Sequence, residues 1–118
     1  MYKICKRYTF EASHRLSSAK SKDCLKIHGH SYKLEVVLKS DILNKDGMVM
    51  DFKELDEIVK PIVKWFDHNH IEQGDNVLYN PTAENMATDI IAKIREKTEL
   101  LCGIRLWETE KAFVEICE

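Results

Sequence analysis

His28-Gly29-His30-Ser31-Tyr32-Lys33-Leu34-Glu35-Val36-Val37-Leu38-Lys39 alternates its side chains with the two-residue period of an extended strand. Tyr32, Leu34, Val36 and Leu38 share one face, and His28 and His30 extend that face backwards. Upstream, residues 2–13 follow the same rule. Tyr2, Ile4, Tyr8, Phe10 and Ala12 fall on even positions, and His14 continues their side. If the two strands pair through the loop 15–27, the imidazoles of His14, His28 and His30 converge at one end of a sheet.

Imidazole nitrogen suits zinc, and three protein ligands with a fourth position open describe a catalytic rather than a structural site. A lone histidine is more often a surface or hydrogen-bonded core residue. Two of them on one face of an apolar strand call for a reason, and metal binding supplies it. Gly29, without a Cβ, is expected to permit the close backbone approach of a tight site. Cys24 lies in the polar loop before His28. It either closes the site as a fourth ligand or stays free as a thiolate base, its pKa lowered by a nearby cation. Spacing alone leaves both readings open.

The rest of the chain supplies the layers around these strands. Asn44-Lys45-Asp46-Gly47 signals a turn, and Asp51 followed by Glu54 resembles a capping box. Leu55, Ile58, Val59, Ile62 and Phe66 then recur at helical spacing, with Pro61 inside the pattern expected to kink or split the helix. Residues 67–80 read as a polar connection. Pro81-Thr82-Ala83-Glu84-Asn85 opens a second helix with the apolar face Met86, Ala87, Ile90, Ile91 and Ile94, which Gly103 is expected to stop. Two short strands follow, 104–109 and 112–117. The order predicts a single α+β domain over 1–118, a four-stranded antiparallel sheet with two helices on one face. Such a sheet has two open edges, and closure by homo-oligomerisation is the natural remedy.

Composition narrows the function classes. The 118 residues carry 18 basic and 20 acidic side chains, a net charge of −2 without a basic run, which argues against nucleic acid or an anionic membrane as partner. No apolar stretch reaches the length of a membrane span, and Met1-Tyr2-Lys3-Ile4 does not open a signal peptide. A cytoplasmic protein with reduced thiols is the expectation. Cys5, Cys102 and Cys117 are then expected to be small core or interface hydrophobes.

Two acidic positions stand out. Asp67-His68 is an acid–imidazole pair suited to general acid–base work, although a polar helix exit would look the same. Glu108 continues the parity of Ile104 and Leu106, where a carboxylate is costly unless paired. A planar amidine-like ligand edge would satisfy it in bidentate fashion, at the end of the ligand remote from the metal. A slip in register would instead leave it at an exposed strand end. His70 receives no role.

Taken in order, Phe10-Glu11-Ala12-Ser13-His14-Arg15-Leu16, Cys24-x-x-x-His28-Gly29-His30-Ser31-Tyr32, Gly47-Met48-Val49-Met50-Asp51-Phe52, Asp67-His68, Pro81-Thr82-Ala83-Glu84-Asn85 and Trp107-Glu108-Thr109 resemble the 6-pyruvoyltetrahydropterin synthase family over nearly the whole chain. The three-residue gap between Cys24 and His28 is similar to that of the 6-carboxytetrahydropterin synthases of queuosine biosynthesis. The resemblance implies a tunnelling fold whose sheets close into a barrel as a trimer, two trimers stacking into a hexamer. It implies zinc on His14, His28 and His30, Cys24 as proton acceptor, and His68 with Glu108 in a charge relay backed by Asp67. Glu108, Thr82 and Glu84 would contact a small-molecule pterin. The implied reaction is a carbon–carbon lyase conversion of 7,8-dihydroneopterin triphosphate to 6-carboxytetrahydropterin, acetaldehyde and triphosphate, with lysines of the 15–26 loop as candidate triphosphate contacts. A 6-pyruvoyltetrahydropterin product, or a non-catalytic zinc-stabilised oligomer with Cys24 closing the site, are the alternatives. The segment Phe66-Asp67-His68-Asn69-His70 departs from the family's more usual Leu-Asp-His-x-x-Leu.

Overall fold

The computed structural model describes residues 1–14, 28–71 and 80–117, with His28 described by its backbone only. Strands β1 (Tyr2–His14) and β2 (His28–Ser40) pair antiparallel over their full lengths, Ala12 opposite His30 and His14 opposite His28. Helix α1 (Phe52–Phe66), strand β3 (Asn69–Ile71) and helix α2 (Ala83–Arg95) follow, and β4 (Leu101–Thr109) and β5 (Ala112–Ile116) complete the chain. The strand order is β3-β1-β2-β4-β5.

Among the described residues the sheet therefore has five strands, not four, and is not wholly antiparallel, because β3 runs parallel to β1 against Ala12, Ser13 and His14. Asp67 caps the end of α1, and His68 takes a positive φ of 58°, turning the chain back along β1. The Asn69 side chain ties the turn to the Trp65 carbonyl. A three-residue strand is too short to show a period in the sequence, which is why 67–80 reads as a plain connection.

Both helices cover the even-numbered face of the sheet. Tyr8, Phe10 and Ala12 of β1, Tyr32, Leu34, Val36 and Leu38 of β2, and Cys102, Ile104 and Leu106 of β4 bury there against Leu55, Val59 and Phe66 of α1 and the Met86–Ile94 stripe of α2. Each large apolar side chain buried contributes about 1.5–3 kcal/mol relative to leaving it in water.

Local chemistry sets the helix ends. The Asp51 side chain caps α1 by accepting from the Lys53 N–H at 2.8 Å, so the N-cap is as expected but Glu54 does not supply the reciprocal bond. Pro61 does not split α1, which runs through it unbroken. It sits on the exposed side, where the Glu57 carbonyl deprived of a partner can be hydrated. Helix α2 starts from Thr82, whose Oγ1 accepts from the Asn85 N–H, and stops at Arg95, the Glu96 and Lys97 N–H groups closing its last turn. Gly103 is not its stop. It lies inside β4 opposite Val37.

Candidate active site

His14 ends β1 on the buried face and is 1% exposed. Its Nδ1 lies 2.7 Å from the Pro81 carbonyl oxygen and 3.3 Å from the Tyr32 hydroxyl. A carbonyl only accepts, so Nδ1 carries the proton and Nε2 keeps its lone pair for a ligand. Pro81 stands just ahead of the α2 N-cap, and that helix start thereby fixes both the tautomer and the orientation of the ring. Outer partners of this kind position metal-binding histidines generally. Burial, and then the charge of Glu108, raise the Tyr32 phenol, which stays protonated beside the histidine.

His30 sits edge-on to His14, their ring centroids 5.1 Å apart. Its Nε2 lies 3.1 Å from Oε1 of Glu108, which is partly exposed near the end of β4. The ligating atoms of His14, His30 and Glu108 lie within 4.8 Å of one another. Two imidazoles and a carboxylate, one imidazole buried and its tautomer set, form a donor set that fits a divalent transition metal such as zinc. His28 faces His14 by its backbone register. Its side chain, Cys24 and the 15–26 lysines lie outside the described residues.

Two expectations about this end of the sheet change. Glu108 is not remote from the histidines. The register that sets Leu34 opposite Leu106 carries Glu108 towards Tyr32, the neighbour of His30 on the same face. Gly29 is not demanded by crowding either. Among the described residues, a Cβ added there would meet the Ala12 oxygen at 3.6 Å, an ordinary contact.

His30 also borders an open hollow of about 480 Å³, together with Ser13, Gly29, His68 and His70. The Asp67 carboxylate accepts from the Glu11 N–H at 2.9 Å through Oδ1, while Oδ2 lies 3.0 Å from His68 Nδ1. The Glu11 amide, and then His68, hold the Asp67 carboxyl below its ordinary range, so it stays charged and orients the imidazole. The His68 side chain is 80% exposed and borders the hollow. Among the described residues, His68 and Glu108 form no ion pair with each other. Their ion-pair partners among the described residues are Asp67 and His30 respectively.

Thr82 and Glu84 occupy the first turn of α2. Thr82 is engaged as the N-cap, whereas Glu84 and Glu108 border a second hollow of about 230 Å³ closed by Thr109 and Phe113. The sequence reading passed over Ser13 and His70, which are joined by a 2.7 Å hydrogen bond on the wall of the larger hollow. The signal was the repeat of imidazole at 68 and 70, visible only once β3 is recognised as a strand.

Known proteins bear on this arrangement. The profile of the 6-pyruvoyl tetrahydropterin synthase family matches residues 3–118. A 6-carboxy-5,6,7,8-tetrahydropterin synthase of Haemophilus influenzae is 32% identical over 142 residues, covering 100% of both chains. A dihydroneopterin monophosphate aldolase of Pyrococcus furiosus is 35% identical over 117 residues, covering 97% of this chain and 96% of its own. The solved 6-pyruvoyl tetrahydropterin synthase of Caenorhabditis elegans superposes with a TM-score of 0.82 at 24% identity, over 99% of this chain and 95% of that one. The Plasmodium falciparum protein of the same name does so with a TM-score of 0.81 at 14% identity, over 99% and 97%. This chain belongs to the 6-pyruvoyl tetrahydropterin synthase family.

Proposed function

We propose that the protein is a zinc-dependent lyase that converts 7,8-dihydroneopterin triphosphate and water to 6-carboxy-5,6,7,8-tetrahydropterin, acetaldehyde and triphosphate, a step of queuosine biosynthesis. The observation that carries this reading is the convergence of His14, His30 and Glu108, with His30 bordering a hollow that His68, the partner of Asp67, also borders. The name and full-length similarity of the Haemophilus influenzae relative support the choice of reaction.

In this reading His14, His28 and His30 hold the zinc, which supplies Lewis-acid polarisation of the substrate's side-chain oxygens. Glu108 presents its carboxylate to the ring N–H and exocyclic amino group of the pterin, a pair of donors that matches two acceptor oxygens. Cys24 takes a proton as thiolate. His68, kept in one orientation by Asp67, gives and takes protons at Nε2. With the pterin ring held by Glu108 and its side chain polarised by the metal, scission of the side-chain carbon–carbon bond would release acetaldehyde. We further infer that copies of the chain close their open sheet edges on one another as a trimeric barrel, two of which stack into a hexamer. Both edges of the sheet end in strands with no further strand beyond them among the described residues, which supports that assembly.

The test is incubation of the zinc-loaded protein with dihydroneopterin triphosphate, with products followed by mass. Acetaldehyde and 6-carboxytetrahydropterin in equal amounts are expected. An intact 6-pyruvoyl side chain would move the protein to the other product of the family. Cleavage of dihydroneopterin monophosphate with the triphosphate untouched would instead assign it the activity named for the Pyrococcus furiosus relative. Conversion of neither by protein that retains zinc would leave a structural metal site.

A further inference from the structure

Residues 67–70 fall in the segment that departs from the family's usual pattern, and they lie between two buried side chains. Phe66 closes α1 with no exposed surface, and Ile71 ends β3 at 3% exposure. Asp67 and His70 are half-buried, whereas His68 and Asn69 are exposed. Polar bonds to β1 and α1 hold this stretch. The Glu11 N–H donates to Asp67, the Glu11 carbonyl accepts from the His68 N–H, and the Asn69 side chain donates to the Trp65 carbonyl. His70 Nδ1 lies 2.7 Å from the Ser13 hydroxyl.

The turn that these bonds hold is a costly one. His68 takes a φ of 58°, in the left-handed region where a side chain crowds its own backbone. Such a conformation persists only where its surroundings over-determine it. The His68 ring gains little from packing, since it is 80% exposed, so its place is set by the backbone beneath it and by Asp67. Strand β3, which must hold that backbone, is three residues long, runs parallel to β1 and stands at the sheet edge. Parallel pairing is the less stable kind per residue, and so short a strand has few ladder bonds. A side-chain bond at its middle residue then carries weight.

His70 is that middle residue, and the register sets it directly opposite Ser13. On its other flank Ser13 faces Gly29, which brings no side chain to compete for the hydroxyl. With Nδ1 engaged by Ser13 and Nε2 buried, the His70 ring serves by what it holds, not by acting on a substrate. We propose that His70, tied to Ser13, is a positioning residue for His68. The pair pins the middle of β3 to the end of β1 and so keeps the His68 ring on Asp67 at the rim of the hollow. This rests on the acid–base role proposed for His68. A phenyl ring at position 70 suits a strand as well as imidazole does but loses the link. Asparagine, whose side-chain amide reaches the place of Nδ1, keeps it.

The experiment compares His70→Asn, His70→Phe and Ser13→Ala with the parent as the full, zinc-loaded chain. Isotope-labelled histidine read by nitrogen NMR reports the His68 ring, its signals assigned by their loss in His68→Gln. In the parent, donation from Nδ1 to Asp67 holds that ring in one tautomer. His70→Phe and Ser13→Ala are expected to move the His68 signals towards those of a free imidazole, which exchanges its tautomers, and His70→Asn to leave them in place. Turnover of dihydroneopterin triphosphate should follow. In the first two variants kcat falls by roughly 10–10²-fold, the scale of a misplaced catalytic group, with KM and zinc content unchanged, and in His70→Asn it returns. His68 signals unmoved in His70→Phe would overturn the proposal, as would a fall in kcat that His70→Asn does not restore. If Ser13→Ala loses zinc through its neighbour His14, the two His70 variants decide. Parent-like kcat in His68→Gln would remove the acid–base reading of His68, and the nitrogen signals would still decide whether His70 places its ring.

Discussion

At the scale of the residue, the chemistry of the candidate site turns on which atom of each ring carries the proton and what holds each carboxylate. The Pro81 carbonyl accepts a hydrogen bond from the His14 Nδ1–H and so sets the tautomer of that ring, and Asp67 orients His68 in the corresponding way. Glu108 is the instructive case, because parity in the sequence places it on the right face but is silent about its neighbour. Its carboxylate lies against His30, so its role as pterin anchor has to be separated from a role as metal ligand. Glu108→Gln keeps the shape but turns an acceptor into a donor facing a donor. It is expected to retain zinc and to weaken binding of dihydroneopterin by about 2–3 kcal/mol, on the scale of hydrogen bonds to charged groups. Metal analysis and calorimetry on the same preparation check both halves, and loss of zinc would make Glu108 a ligand. Cys24→Ala should keep zinc and substrate binding while turnover falls by roughly 10²–10⁴-fold, the usual worth of a general base. Loss of zinc in that variant would put the thiolate in the coordination sphere.

At the scale of the element, the two-residue period was enough to find β1 and β2 and to set His14 and His30 on one face. The 3.6-residue period found the buried stripes of both helices. What it could not show is β3, where the direction of the chain depends on one residue in the left-handed region and on side-chain bonds from Asp67 and Asn69. Helix α1 positions that turn through its last residue. Phe66 is fully buried, its ring 5.7 Å from that of Phe10, and the Asp67–His68 pair follows it directly. Phe66→Ala should therefore destabilise the fold by about 3–5 kcal/mol in urea titrations, as large-to-small core substitutions do. Near the other end of α1, Asp56 accepts from Lys6 at 2.9 Å and from the Tyr8 hydroxyl at 2.7 Å, and these bonds hold its carboxyl below the ordinary range. A carboxyl lowered by folding contributes stability above its unfolded pKa, about 3.9, and that contribution is lost as pH falls through the lower folded value. Thermal melts from pH 6 downwards should show the parent losing stability more steeply than Asp56→Asn. Parallel curves would remove Asp56 from the pH dependence.

At the scale of the whole molecule, the helices cover one sheet face, and among the described residues the other face and the two edges carry exposed groups that are core or interface only according to what meets them. Cys102 is buried as expected, but Cys5 and Cys117 are exposed on a single chain, because their odd positions face away from the helices. Whether a thiol is core or surface depends on which face receives the helices, and strand periodicity alone does not state it. The site, by contrast, is built from even positions at the end of the sheet where β1 and β2 meet the start of α2, so most of its residues could be named in advance. The proposed function depends on a metal, and the most direct measurement follows acetaldehyde release from dihydroneopterin triphosphate while zinc is stripped by chelation and titrated back. The account predicts that release falls with zinc content and returns at one equivalent per chain, while His30→Ala stays folded but recovers neither zinc nor turnover. Full release by the metal-free protein, or by His30→Ala without zinc, would contradict it.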